Sequence, residues 1–162
     1  MTAAEIIALL KLEPLPNEGG FFRQTYVSYT TLPHARRAVG TAIYFLITPE
    51  GFSALHHLET DELWHFYAGD PVEHVMIDSI LGDGKKHLLG TDLTGGQLPQ
   101  LVVQGGYWQG ARLAPGPRTL GWALLGCTMA PGWDEREFTL GERDALTTKF
   151  PEWAADIHAL TR

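Results

Sequence analysis

His56 and Glu62 are the two side chains in this chain best suited to move a proton. They lie in the run Gly51-Phe-Ser-Ala-Leu-His56-His57-Leu-Glu-Thr-Asp61-Glu62-Leu-Trp64-His65-Phe-Tyr-Ala-Gly69, between two glycine turns and ahead of alternating bulky residues. An imidazole is a base near neutral pH, and a carboxyl becomes a useful acid when burial disfavours its charged form. Along a strand of a barrel, side chains alternate between lumen and exterior. An inward Glu62 therefore brings Trp64 and Phe66 inward and sends Leu63, His65 and Tyr67 outward. Beside Trp64 the carboxyl would be partly desolvated, which raises its pKa toward the range useful for proton transfer. Gln109 can donate and accept hydrogen bonds but is no base, so its task would be to orient a polar ligand group or to pair with His56.

Each of these residues also has a plainer reading. His56 and Glu62 could be a satisfied polar pair in an apolar interior. Trp64, Phe66 and Trp108 offer a flat apolar surface to a ligand, or simply core; alternation puts Trp108 on the side opposite Gln109. Arg23, in Gly19-Gly20-Phe21-Phe22-Arg23, could hold a carboxylate or phosphate at a barrel mouth, or pair with Glu18 or Asp61. Cys127 shares an inward-compatible parity with Ala123 and Leu125, where a thiol acts as a small apolar residue; a nucleophilic role would need a neighbouring base. His34, His74, His87 and His158 read as loop, strand-edge or helical surface positions.

The elements that must position these groups are mostly strands. Thr2-Ala-Ala-Glu5 has the form of a capping box and predicts a helix from about Ala3 to Leu12, with Ile6, Ile7, Leu9 and Leu10 on one face and Pro14 ending it. From Phe21 the period becomes two. Strands are expected at Phe21–Tyr29, Gly40–Thr48, Phe52–His57, Asp61–Ala68 and Val72–Ile80, then at Lys86–Leu89, Leu101–Val103, Tyr107–Leu113, Thr119–Met129 and Glu137–Leu140. Leu146, Phe150, Trp153, Ile157 and Leu160 recur at helical intervals, with Pro151 dividing two short helices. Roughly ten short strands with frequent Gly and Pro turns fit a jelly roll or barrel, in one domain spanning residues 1–162.

The run from Gly51 to Gly69 resembles the first motif of the cupin superfamily, and Gln104-Gly105-Gly106-Tyr107-Trp108-Gln109 resembles the second. The phrases Ala42-Ile43-Tyr44-Phe45-Leu46, Asp61-Glu62-Leu63-Trp64-His65-Phe66 and Gly126-Cys127-Thr128-Met129-Ala130-Pro131-Gly132 resemble one single-domain branch, the fifth cupin family. The resemblance implies an all-β, cupin-type jelly-roll barrel with an N-terminal helix and a helical C-terminal segment. It also implies that His56 and Glu62 converge in the lumen, close enough to share a hydrogen bond. A cupin metal site draws on three imidazoles and a carboxylate, but here Leu58 and Gln109 stand where two of the histidines would be. The matched positions leave His56, Glu62 and Gln109 as the ligands of any divalent transition metal, too weak a set, so no cofactor is expected.

A formal charge of −7 without a Lys/Arg cluster argues against nucleic acid and anionic membrane as partners. One cysteine cannot form an internal bridge, and no signal-like segment opens the chain, so a cytoplasmic protein is expected. Jelly-roll edges are commonly covered by a second subunit, which predicts a homodimer. The functional expectation is a small-molecule-binding barrel performing metal-independent acid–base chemistry of the isomerase or epimerase kind, with His56 and Glu62 catalytic and Arg23, Trp64, Phe66 and Gln109 binding. The alternatives are a metabolite-binding module and a metal-dependent oxygenase or lyase.

Overall fold

The computed structural model describes residues 1–33 and 35–162; His34 lies outside them. Helix α1 (Ala3–Leu10) opens with the expected capping box: the Thr2 hydroxyl accepts the Glu5 N–H at 3.3 Å, and the Glu5 carboxylate accepts the Thr2 N–H at 2.7 Å. It stops at Leu10 rather than Leu12 because Lys11 turns left-handed, at φ 52°. Leu12 is still buried, together with Ile6, Leu46 and Trp122.

The strands are β1 (Glu13–Pro14), β2 (Phe21–Val27), β3 (Thr41–Ile47), β4 (Ser53–His57), β5 (Glu62–Gly69), β6 (Val72–Asp78), β7 (Gly84–Leu89), β8 (Gln100–Val103), β9 (Tyr107–Leu113), β10 (Ala123–Met129) and β11 (Thr139–Leu140). They form two sheets of antiparallel neighbours, β1-β2-β3-β10-β5-β8 and β11-β4-β9-β6-β7. The inner faces meet over Phe45, Ile47, Trp64, Phe66, Val72, Leu113 and Leu125, which are all buried. Fully burying side chains of this size stabilises the fold by roughly 1.5–3 kcal/mol each.

Helices seal the outside. α1 covers part of the six-stranded sheet through Ile6 against Leu46. α2 (Arg143–Lys149) and α3 (Ala154–Ala159) cover the five-stranded sheet, with Leu146, Phe150, Ile157 and Leu160 packed on Leu55, Val75 and Ile77. Among the described residues no helix is long and apolar enough to cross a membrane.

Most strand ends fall within two residues of those expected, and β10 and β11 both begin late because the residues ahead of them are held in other bonds. β10 begins at Ala123 instead of Thr119, since Asp70 accepts the N–H groups of Thr119, Leu120 and Gly121 at 3.0, 3.0 and 2.6 Å. Amides bound to a carboxylate cannot join a ladder. Burial pushes the Asp70 carboxyl up, but those three bonds and the charge of Arg118 outweigh it and hold the pKa below its ordinary value. Gly69 allows the close approach: its φ is +116°, and a Cβ there would lie 2.3 Å from the Trp122 carbonyl. The other case is the segment expected at Glu137–Leu140. Residues Glu135–Glu137 form a 3-10 turn, and Glu137 is spent on Arg37 and Thr60, leaving only Thr139–Leu140 to pair with β4.

Candidate functional site

Alternation along β5 runs as expected. Glu62, Trp64 and Phe66 are buried between the sheets, Leu63 and His65 are half-buried, and Tyr67 is exposed. His65 faces outward, its ring nitrogens 3.2 Å from Thr128 Oγ1 and 3.1 Å from Gln100 Nε2. β9 pairs with β4 so that Gln109 lies opposite His56. Gln109 is buried and faces inward, while Trp108 faces outward against His57, with ring centroids 5.4 Å apart. The inner wall thus gathers His56, Glu62, Trp64 and Gln109, with Cys127 opposite Trp64 on β10.

His56 and Glu62 do not hydrogen-bond to each other, contrary to expectation. His56 Nδ1 lies 2.8 Å from the Ala54 carbonyl, a local bond to its own strand, and 3.8 Å from Glu18 Oε1. A carbonyl only accepts, so Nδ1 carries the proton and a neutral ring has its lone pair on Nε2. Phe138 stacks on the imidazole at 5.4 Å and 23°, fixing its plane. Glu18 is itself held by the Ser53 hydroxyl at 2.7 Å. Neither Glu18 nor Phe138 stands out in the sequence, since both lie far from the motif along the chain.

Glu62 receives the Trp64 indole N–H and the Gln109 amide N–H, both at 3.0 Å and both on Oε2. The same indole N–H also reaches Gln109 Oε1 at 3.0 Å. The three side chains form a closed triangle, so Gln109 pairs with Glu62 and Trp64 and not with His56. Burial raises the Glu62 pKa to about 7. The His56 imidazole and the two hydrogen bonds pull it down, and the Glu18 charge pushes it further up. With both donors on Oε2, the proton of the neutral acid belongs on Oε1. Burial also pushes the Cys127 thiol well up, and the Glu62 and Glu18 charges add to this, so the thiol is no nucleophile near neutral pH.

The outermost expected residue is elsewhere. Arg23 faces away from the lumen, on the outer side of the six-stranded sheet opposite Tyr44, with its guanidinium 5.4 Å from the Tyr44 ring. It pairs with neither Glu18, which is bound to Ser53, nor Asp61, which accepts the Gly105 N–H. The physical reason is parity: Phe22 packs on the inner core, so its neighbour Arg23 must point out.

His74 corrects the sequence reading in the opposite sense. It is no strand-edge residue but fully buried, on central strand β6 in phase with inward Val72, its ring 4.9 Å from Trp64 in an edge-to-face contact. Neither ring nitrogen has a hydrogen-bond partner among the described residues. Burial lowers its pKa to about 3, helped by the charges of His56 and His87; proximity to Gln109 opposes the shift without forming a bond of good geometry. β6 is covered on both faces, by the opposite sheet and by the C-terminal helices, and adjacent Glu73 and His74 put one polar residue on each, so its sequence shows no single polar side to set the phase. Assigning Val75 and Ile77 to the helix-covered face would have placed His74 inward.

The donor set is a poor fit for a divalent metal: Glu62 Oε2 and Gln109 Oε1 are engaged with Trp64, which leaves His56 Nε2 and Glu62 Oε1 as the uncommitted donors of the three side chains. Among the described residues no three His, Cys, Asp or Glu side chains are grouped to hold an ion. Two surface cavities, of about 480 and 520 Å³, lie beside α1 and beside Arg37 and Trp133; neither is lined by His56, Glu62, His74 or Gln109.

The family described as Cupin superfamily (DUF985) matches residues 4–141. A hypothetical protein of Leishmania major superposes with a TM-score of 0.91 at 32% identity over 99% of each chain. A Shewanella oneidensis protein gives 0.91 at 33% identity, over 100% of this chain and 98% of its own. An uncharacterized protein of Saccharomyces cerevisiae is 26% identical over 155 residues, 86% of this chain and 77% of its own. More distant structures share the fold alone. A dTDP sugar isomerase of Desulfovibrio desulfuricans has a TM-score of 0.55 at 18% identity over 83% of this chain and 82% of its own. For an oxalate decarboxylase of Bacillus subtilis the figures are 0.56, 13%, 93% and 37%.

Proposed function

Because the chain belongs to the DUF985 family of the cupin superfamily, we propose that its lumen binds a small molecule and moves a proton on it without a metal. The observation that carries this reading is the pairing of an imidazole, its Nδ1 tied to a carbonyl and its Nε2 uncommitted among the described residues, with a carboxyl whose pKa burial raises to about 7. Two titratable groups on one inner wall with such different roles are what general acid–base catalysis requires. The chemistry suited to them is proton abstraction next to a carbonyl. His56 Nε2 takes the proton from carbon, the C–H electrons form the enol double bond, and Glu62 Oε1–H delivers its proton to the carbonyl oxygen. Reversing the transfers at the other face or the neighbouring carbon gives epimerisation or isomerisation. A sugar isomerase among the fold neighbours is compatible with this reading.

The test is deuterium wash-in. Incubating the protein in D₂O with a panel of aldoses, ketoses and hydroxy ketones should label the carbon beside the carbonyl of at least one of them, read by proton NMR. Binding without wash-in anywhere in the panel would make the protein a metabolite-binding module instead.

The absence of a metal requirement has its own check. Protein purified without added metal should carry well under one equivalent of iron, manganese, nickel or zinc, and chelator should leave its Tm unchanged. Stoichiometric metal surviving dialysis against chelator would move the reading to a metal-dependent oxygenase or lyase.

We also propose a homodimer. Its support is the outer side of the six-stranded sheet beyond α1, where Tyr67 and Val102 are half exposed beside edge strand β8. Sedimentation should give a dimer at micromolar concentration; a monomer there ends the proposal.

A further inference from the structure

We propose that His74 is a ligand-binding residue of the lumen, and that the part of the ligand it meets is uncharged and bears hydroxyl or carbonyl oxygens. The proposal rests on the lumen being the binding site, as argued above, and adds a residue and a chemical class. Its basis is an unmet hydrogen-bonding demand. His74 is 0% exposed, packed edge-to-face against Trp64, and neither Nδ1 nor Nε2 has a partner among the described residues. Buried polar groups almost always find partners, and one that does not in the unliganded fold needs a specific reason. An apolar side chain of similar volume would fill the same place without that cost.

The neighbours narrow what can satisfy it. Gln109 gives one amide N–H to Glu62 and its Oε1 to Trp64, and held in that triangle its second N–H makes no bond of good geometry to His74. A ligand that displaces the Gln109 carboxamide gains the approach to both His74 and Glu62. A neutral imidazole offers one N–H and one lone pair, which suits oxygens that accept on one side and donate on the other. The low proton affinity that burial gives His74 keeps it in that neutral form. Anions are disfavoured by composition. Among the described residues the buried polar ones are Thr41, Ser53, His56, Glu62, Asp70, His74, Gln109, Asp156 and Thr161, with no lysine or arginine. A carboxylate or phosphate pushed to this depth would find no counter-charge and would face Glu62.

The test uses wild-type protein labelled with ¹⁵N in its histidine rings, titrated to about 50 mM with dihydroxyacetone or with glycolate, a range that captures the weak affinity of so small a probe. Dihydroxyacetone is expected to shift the ring nitrogens of both His56 and His74, leaving His65 in place, and glycolate to shift neither. Movement of His56 alone would overturn the role of His74 while leaving the lumen reading standing; movement of no lumen histidine would overturn both. A glycolate shift at His74 larger than that of dihydroxyacetone would overturn the chemical class. His74→Leu supplies the second arm: it is expected to melt at or above the wild-type temperature and to weaken the His56 response at least tenfold. A variant that melts lower yet responds to dihydroxyacetone as wild type does would make His74 structural only; if it fails to fold, the wild-type titration decides alone.

Discussion

His56→Ala is expected to lower the rate of deuterium wash-in by about 10²–10⁴-fold, the usual contribution of a positioned general base, whereas His65→Ala stays within about twofold of wild type. The two histidines sit on consecutive strands of opposite sheets and differ in the face they occupy. His56 is buried, with Nδ1 tied to Ala54 and Phe138 stacked on its ring, so that Nε2 is held ready. His65 lies outside the barrel between Thr128 and Gln100, where no substrate in the lumen can touch it. Removing a buried imidazole takes away its hydrogen bond to the Ala54 carbonyl, and leaving a buried acceptor unmet costs about 1–3 kcal/mol. Rates should therefore be compared on variants whose circular dichroism and Tm show them folded. Equal losses from the two changes would mean that the face assignment does not govern the chemistry.

Glu62→Gln should change how stability depends on pH between about 4.5 and 6.5. In the wild type two buried groups oppose each other there. The Glu62 pKa is raised from 4.5 to about 7 on folding, so the folded state binds the extra proton; its contribution is full below pH 4.5 and is lost as pH rises through 7. The His74 pKa is lowered from 6.5 to about 3, so the unfolded state binds the extra proton; its contribution is full above pH 6.5 and is lost as pH falls toward 3. Each slope has a magnitude of about 1.4 kcal/mol per pH unit, with opposite signs, so they nearly cancel in the shared window. His87, whose pKa is also lowered by burial and by Lys85, tilts the balance slightly toward a rise with pH.

The glutamine variant keeps an oxygen for Trp64 and Gln109 but has no proton to bind. Its unfolding free energy should climb by about 1.4 kcal/mol per unit from pH 4.5 to 6.5, while that of the wild type stays nearly flat. Urea melts at half-unit intervals would show the difference. Parallel profiles would mean that Glu62 is ionised throughout the window and could not serve as the acid.

Much of the barrel and part of the site follow from the chain alone. The capping box at Thr2 and Glu5, the period-two stretches and the Gly/Pro turns are local signals, and local signals depend on neighbours a few residues away. Alternation along β5 fixed the inward set of Glu62, Trp64 and Phe66 for the same reason: a strand has only two faces, and one charged residue among bulky ones marks which is which. Tertiary structure decided what those faces meet. Asp70 shortening β10, the Glu62–Trp64–Gln109 triangle, the stack of Phe138 on His56 and the outward Arg23 each depend on contacts between distant parts of the chain. His74 shows the limit most clearly. Over Val72–Ile77 both faces of β6 carry apolar residues and one polar residue each, Glu73 outward against Arg112 and His74 inward, so the sequence carries no clear contrast from which to read the phase. Only the packing of helices on one side and the opposite sheet on the other turned that histidine into the lumen.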